Sequence, residues 1–381
     1  MKLIHNISVI LPDKIISDGA VLFSDKIEQI NSVSNIKDND LELIDGKGGY
    51  LSPGFIDIHI HGSGGSDTME ANRESLENIS RTIVEHGVTG FLPTTMTMKE
   101  EDIKSALDNV WRMKEEGIKG ARPLGVHMEG PFINSEYKGA QADKNIQKPN
   151  LDLIRNYYDI IKIVTLSPEV EGAEEFIKEL RNKGIVVSVA HSGASYEKIL
   201  EAKSWGLSHA AHLFNAMTGL HHRKPGIVGA VLLEKMTAEL IADYIHINPA
   251  VLKLVTKIKD LSDIILVTDA MEAGGLEDGE YSLGGQKVYV KNGEARLKDG
   301  TIAGSVLTLD KAVKNMLNAT QLPLNEVINM ATLNPAKRIG LDHKLGSIKE
   351  GLRADLVLLD NKLNIEKVFI GGKECRGDFY L

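Results

Sequence analysis

Residues 51–62 read LSPGFIDIHIHG, and this stretch decides the fold. Residues 54–60 form a short apolar run with strand character, and His59 and His61 stand two apart at its end. Side chains alternate between faces along a strand, so both imidazoles turn to one side. From Leu51 onward, short apolar runs alternate with longer amphipathic segments. The strand candidates are 54–60, 88–94, 123–130, 160–166, 185–191, 207–213, 238–245 and 263–270. Eight such runs, with helices between them, imply a parallel (β/α)8 TIM-type barrel with both histidines facing its interior.

The segments between the strands support this. SLENISRTIVEHG and AEEFIKELRNKG have helical spacing, and each ends at a glycine suited to a helix C-terminus. Beyond the eighth strand, KNGE and KDGT carry the Asn-Gly and Asp-Gly pairs of tight hairpins. Helical patterns follow from Thr308 to Gly340. Residues 1–50 read as short strands, and residues 345–381 return to strand character. The simplest division is therefore a barrel over 51–344 and a small β-sandwich domain built from 1–50 together with 345–381.

Composition narrows the function. With 42% hydrophobic residues the chain can bury a large core. Cys375 is the single cysteine, so no intrachain disulfide forms, which fits a reducing, cytoplasmic setting. There is neither a signal-peptide pattern nor an apolar run of the ~20 residues that a membrane helix needs. A net charge of −9 without a basic face or tail argues against a nucleic-acid partner. An anionic substrate would need a locally basic pocket.

Active-site groups of such barrels sit at the C-terminal ends of the strands. His59 and His61 end the first strand, Glu129 the third, His191 the fifth, His212 the sixth and Asp269 the eighth. Each alone has a bland explanation: a buried histidine usually satisfies a carbonyl, and a strand-end acid usually caps a helix or meets a base. Six ligand-type residues at five strand ends of one rim are not explained by packing. Glu129, His191 and His212 suit one divalent metal whose open position takes a water. His59, His61 and Asp269 suit a second, bridged through Glu129. Asp269 alternatively serves as the general base. Lys162 is mid-strand, so Glu129 is a better bridge than a modified lysine. His127, two residues before Glu129, is assigned a supporting role. His209 is assigned to the face opposite His212 and to a structural role.

On these residues the chain resembles the amidohydrolase superfamily, and within it the branch that deacetylates N-acetylglucosamine 6-phosphate. The resemblance rests on LSPGFIDIHIHG, GVHMEGPF, VAHSGAS, AAHLFNAMTGLHHRKPG, VTDAM, IAGS, ATLNPAKRIGL and GSIKEGLRADLVLLD, and it spans essentially the whole chain. It implies that Glu129, His191 and His212 hold the principal metal and that Asp269 is the catalytic base, then acid. It also implies that His246 polarises the acetyl carbonyl, and that Asp243 to His246 line the substrate site. Asn215 and Ala216 would meet the sugar phosphate, Arg223 would pair with it, and Ile302, Ala303 and Gly304 would close over the ligand. Ala140 and Gln141 stand where some members place Ala-His against the sugar hydroxyls. The implied reaction gives glucosamine 6-phosphate and acetate, as in amino-sugar catabolism and recycling. The implied cofactor is one or two divalent ions: zinc fits the nitrogen and oxygen ligands best, with iron, cobalt or manganese as alternatives. The implied assembly is a homodimer in which each partner completes the other's site.

Two other readings remain open on the sequence. One is the same chemistry on N-acetylgalactosamine 6-phosphate or another N-acyl compound, which Gln141 keeps in view. The other is a metal-bound barrel that has lost catalysis and serves in an assembly. The intact Asp269 argues against it.

Overall fold

The computed structural model describes residues 1–32 and 41–375. The eight barrel strands are Phe55–Ile60, Val88–Thr95, Val126–Glu129, Ile161–Leu166, Val186–Val189, Leu207–Ala210, Thr237–Leu240 and Ile264–Leu266. Each pairs in parallel with the next. A parallel bridge between Ile60 and Ala270 joins the first strand to the segment after the eighth and closes the ring. All six residues of the first strand are buried, as expected of strands enclosed by their own crossover helices. Each of the eight runs named from the sequence overlaps one of these strands, and six of the runs contain theirs whole.

The helix Arg73–Val84 shows how the outer layer is specified. Asn72 caps it by accepting a hydrogen bond from Ser75 N, and Leu76, Ile79, Ile83 and Val84 are buried beneath it. That spacing is one helical face, and each such side chain contributes about 1.5–3 kcal/mol by leaving water. Gly87 (φ +80°) turns the chain into the second strand. Its missing Cβ leaves room for Phe55.

The terminal segments pair as expected. Tyr50–Pro53 runs antiparallel to Leu356–Leu359, joining four N-terminal and three C-terminal strands into one seven-stranded ladder. Phe23 and Phe369 lie on strands four apart in that ladder, a separation of about 19 Å in a flat sheet. Their rings nevertheless meet edge to face at 5.3 Å. The ladder therefore folds back on itself and encloses its own core of Ile4, Val21, Phe23, Leu51, Leu356 and Phe369. This is the sandwich expected from sequence. Residues 376–381 of the C-terminal segment lie outside the described residues.

After the eighth strand, Gly279–Leu283, Gln286–Lys291 and Glu294–Arg296 form an antiparallel sheet. The turn at Asn292-Gly293 has both residues at positive φ, as the Asn-Gly pair requires. This sheet, with the Gly300–Gly304 loop beyond it, stands over the open end of the barrel.

Candidate active site and metal centre

The six strand-end residues converge. His212 Nε2 lies 2.9 Å, His191 Nε2 3.3 Å and His59 Nε2 3.4 Å from Glu129 Oε1. Asp269 Oδ1 is 3.3 Å from His61 Nε2 and 3.5 Å from His59 Nε2, and His61 Nε2 is 3.4 Å from Glu129 Oε2. Two candidate cation sites result, one from Glu129, His191 and His212 and one from His59, His61 and Asp269.

Three of these residues reach the centre by leaving strand geometry. The fifth, sixth and eighth strands end at Val189, Ala210 and Leu266, two to four residues earlier than their apolar runs suggest. His191, His212 and Asp269 follow with φ of +48°, +30° and +49°, a region unfavourable to side chains with a Cβ. Such strain is tolerated where the surrounding structure enforces it, commonly at functional sites.

The left-handed turn at His212 also breaks the alternation used to place His209. His209 is wholly buried, with Nε2 2.9 Å from Glu239 Oε1 and Nδ1 2.6 Å from Thr237 Oγ1. It too contacts the interior carboxylate, so the opposite-face placement does not hold, and its role is structural.

Hydrogen bonds fix the ring orientations. His59 Nδ1–H donates to Glu239 Oε2 at 2.8 Å, His61 Nδ1–H to Thr94 O at 3.3 Å and His191 Nδ1–H to Tyr137 O at 3.1 Å. In each case Nε2 is left as a lone pair aimed at the carboxylates, the usual arrangement of a metal-bound imidazole. His127 differs: Nδ1–H donates to Ile58 O at 2.9 Å and Nε2 accepts from Thr165 Oγ1 at 2.7 Å. Burial and the neighbouring His59 push its pKa down to about 3. Both nitrogens are committed, so the grouping of His127 with His59 and Glu239 is a buried polar network.

One buried atom tests whether a cation belongs here. His59 Nε2, aimed at the carboxylates, has no hydrogen-bond partner, which is costly for a buried polar atom. The charge balance agrees. Burial opposes protonation of His59, yet Glu239, Asp269 and Glu129 draw its pKa well above the ordinary imidazole value. Burial likewise opposes ionisation of Glu129, while His191 and His59 hold its carboxyl well below the usual range. The cluster calls for positive charge, and a divalent ion supplies it to neutral imidazoles. The donor set fits.

The site opens into a cavity of about 430 Å³. Ala140, Gln141, Asn215, Ala216, His246, Ile302 and Gly304 line it, as the resemblance implies. Asp243 does not. Its Oδ2 accepts from His246 Nδ1 at 2.6 Å and its Oδ1 from the backbone N–H groups of Ile245 and His246, so it holds His246 in place. Ala303 is buried behind the lining. Gln141 is engaged at both ends: Oε1 accepts from Thr97 N at 2.7 Å, and Nε2 donates to Glu129 Oε2 at 2.5 Å. Arg223 stands on the exposed turn His221–Lys224, outside the cavity wall.

Sequence reasoning missed Glu239, Asp57 and Arg296. Glu239 is an acid inside the apolar run AELIA, and that cost was the available signal. Asp57, within FIDIHI, accepts from Thr268 Oγ1 at 2.5 Å and His59 N at 3.2 Å. Burial raises its pKa to about 7. Arg296 lines the cavity and is paired with Glu294; nothing in its hairpin sequence marks it.

The sequence profile of the Amidohydrolase family matches residues 50–375. The chain is 38% identical to N-acetylglucosamine-6-phosphate deacetylase of Lysinibacillus sphaericus, over 91% of this chain and 90% of that one. It is 37% identical to N-acetylgalactosamine-6-phosphate deacetylase of Escherichia coli O157:H7, over 89% of each. The crystal structure of N-acetylglucosamine-6-phosphate deacetylase from Pasteurella multocida superposes with a TM-score of 0.93 at 32% identity, covering 98% of this chain and 99% of that one.

Proposed function

The chain belongs to the amidohydrolase family, and we propose that it is a metal-dependent deacetylase converting N-acetylglucosamine 6-phosphate and water to glucosamine 6-phosphate and acetate. The observation that carries this reading is the Nε2 atoms of His59, His191 and His212 gathered on one Glu129 oxygen beside Asp269, at the base of a sugar-sized cavity. Glu129, His191 and His212 would hold the principal ion, with His59, His61 and Asp269 available for a second. Such an ion, zinc or another of the divalent metals that take nitrogen and oxygen ligands, lowers the pKa of a water towards ~7 and polarises a carbonyl.

The chain's own groups do the rest. Burial opposes ionisation of Asp269, but His59 and His61 hold its pKa below the usual value, so the carboxylate is ready to take a proton from water. It returns that proton to the departing nitrogen. His246, anchored through Nδ1 by Asp243, turns its other nitrogen to the acetyl oxygen and polarises it as an Nε2–H donor in the imidazolium form. Gln141 holds Glu129 between the two ion sites, and Asn215 and Ala216 meet the sugar phosphate.

Arg223 lies outside its own cavity wall and beside the exposed Leu220. That position supports a homodimer in which each subunit lends Arg223 to its neighbour's phosphate. Among the described residues no helix is long and apolar enough to cross a membrane.

Measured kcat/KM on N-acetylglucosamine 6-phosphate, its galacto epimer and unphosphorylated N-acetylglucosamine tests the assignment. The first is expected to be the best substrate. Preference for the galacto epimer would move the protein to the alternative named by its Escherichia coli relative. Full activity after exhaustive chelation, with no bound metal by elemental analysis, would overturn the metal-dependent mechanism.

A further inference from the structure

A second basin lies at the opposite end of the barrel. It measures about 610 Å³, larger than the catalytic cavity, and opens among the N-terminal ends of the fourth, fifth and sixth strands. Seven lysines and arginines line it, with no aspartate or glutamate in the wall. In a chain of net charge −9, that concentration is against the overall trend.

Two of the seven are neutralised: Lys203 pairs with Glu234 and Lys183 with Glu179. Among the described residues, Lys162, Arg181, Lys235, Lys337 and Arg338 have no carboxylate within ion-pair distance, although Asp159 and Asp263 act on Lys162 and Arg338 from further away. The C-terminus of the helix Leu333–Arg338 explains a preference for cations at its own last two residues. It does not explain the others, which come from the fourth strand, the end of the helix Ala173–Asn182 and the loop before the seventh strand.

The arrangement works against stability. Burial pushes Lys162 down from its ordinary pKa, with Lys114 and Lys344 adding to the effect, and burial pushes Arg338 down to about 10. Arg338 Nη2 donates to Ser208 Oγ at 2.6 Å, while its buried Nε has no acceptor. Like charges gathered around an unsatisfied guanidinium are costly unless an anion joins them.

We propose that this basin is a binding site for a small multivalent phosphate anion, with Lys162 and Arg338 at its floor and Arg181, Lys235 and Lys337 at its rim. Guanidinium and ammonium groups together suit phosphate oxygens. Five uncompensated cations call for several negative charges on one ligand, and the volume falls in the range of small-molecule sites.

Calorimetric titration of the full chain with inorganic tripolyphosphate at about 0.15 M salt tests this. Saturable binding at one per chain is expected, weakened about tenfold or more in the double variant Lys235→Glu/Lys337→Glu. Both side chains are exposed, and an unchanged thermal midpoint and deacetylase rate would show that the fold persists. Arg223→Ala should bind tripolyphosphate like the parent, and orthophosphate should bind about tenfold more weakly than tripolyphosphate. Absence of saturable binding overturns the proposal. So does binding that is indifferent to the double variant, binding lost in Arg223→Ala, or equal affinity for orthophosphate.

Discussion

Glu239 Oε2 accepts a hydrogen bond from His59 Nδ1 at 2.8 Å across 180 residues of sequence, and its second oxygen meets His209 at 2.9 Å. The carboxylate thus fixes the tautomer of His59 from inside the barrel, one layer beneath the candidate ion sites. Its Oε2 also accepts from His212 N at 3.2 Å, so one buried acid orients two of the six converging residues.

Replacing Glu239 should therefore act on metal binding without touching substrate. Glu239→Ala is expected to lower metal affinity by about 10- to 100-fold, read by elemental analysis after dialysis against graded chelator. Glu239→Gln, which keeps one acceptor oxygen, should fall between it and the parent. Undiminished metal retention in the alanine variant would show that the contact does not orient His59.

Asp269→Asn removes the proposed base and leaves the Glu129, His191 and His212 group whole. We expect kcat to drop by about a hundredfold or more while metal content at that group stays near the parent's. Parallel loss of metal and activity would mean that Asp269 acts chiefly as a ligand.

Arg223→Ala should cost about ten- to a hundredfold in kcat/KM on phosphorylated substrate, the range for losing a charge-assisted hydrogen bond. Turnover of unphosphorylated sugar should barely change. Equal losses on both would contradict a phosphate contact. Mixing Arg223→Ala subunits with subunits inactivated at Asp269 should give hybrid dimers with one intact site if the arginine crosses the interface.

The pair His86–Asp310 should make stability depend on pH. Burial raises the Asp310 carboxyl, but the hydrogen bond from His86 Nδ1–H at 3.1 Å and its charge hold the folded value below the ordinary 3.8. A depressed folded pKa stabilises fully above the unfolded value, and the gain disappears as pH falls through the folded one. Asp310→Asn should therefore destabilise the protein at pH 7 in denaturant titrations, and the difference should shrink below about pH 4. A difference independent of pH would assign the effect to packing.

The eight-strand rhythm, the terminal β domain and the six residues that converge at the candidate ion sites were legible in the order of residues. Periodicity reports which positions leave water, and an imidazole or carboxylate at a strand end is conspicuous against an apolar run. Alternation placed His59 and His61 on one side because His59 lies in the strand Phe55–Ile60 and His61 follows it directly. It misplaced His209 because a left-handed residue at His212 resets which way the neighbouring side chains point.

What tertiary structure alone decided were the contacts between distant strands. Glu239 beneath His59, Gln141 on Glu129 and the cations of the lower basin each depend on barrel closure, which sets the register of elements that the chain order does not relate. The same holds for Arg223, whose sequence marks it as basic but whose fold places it outside its own cavity. Local sequence fixes a residue's chemistry and the face of its own element. Which other residue it meets follows from how the strands and loops pack together, and no local pattern encodes that.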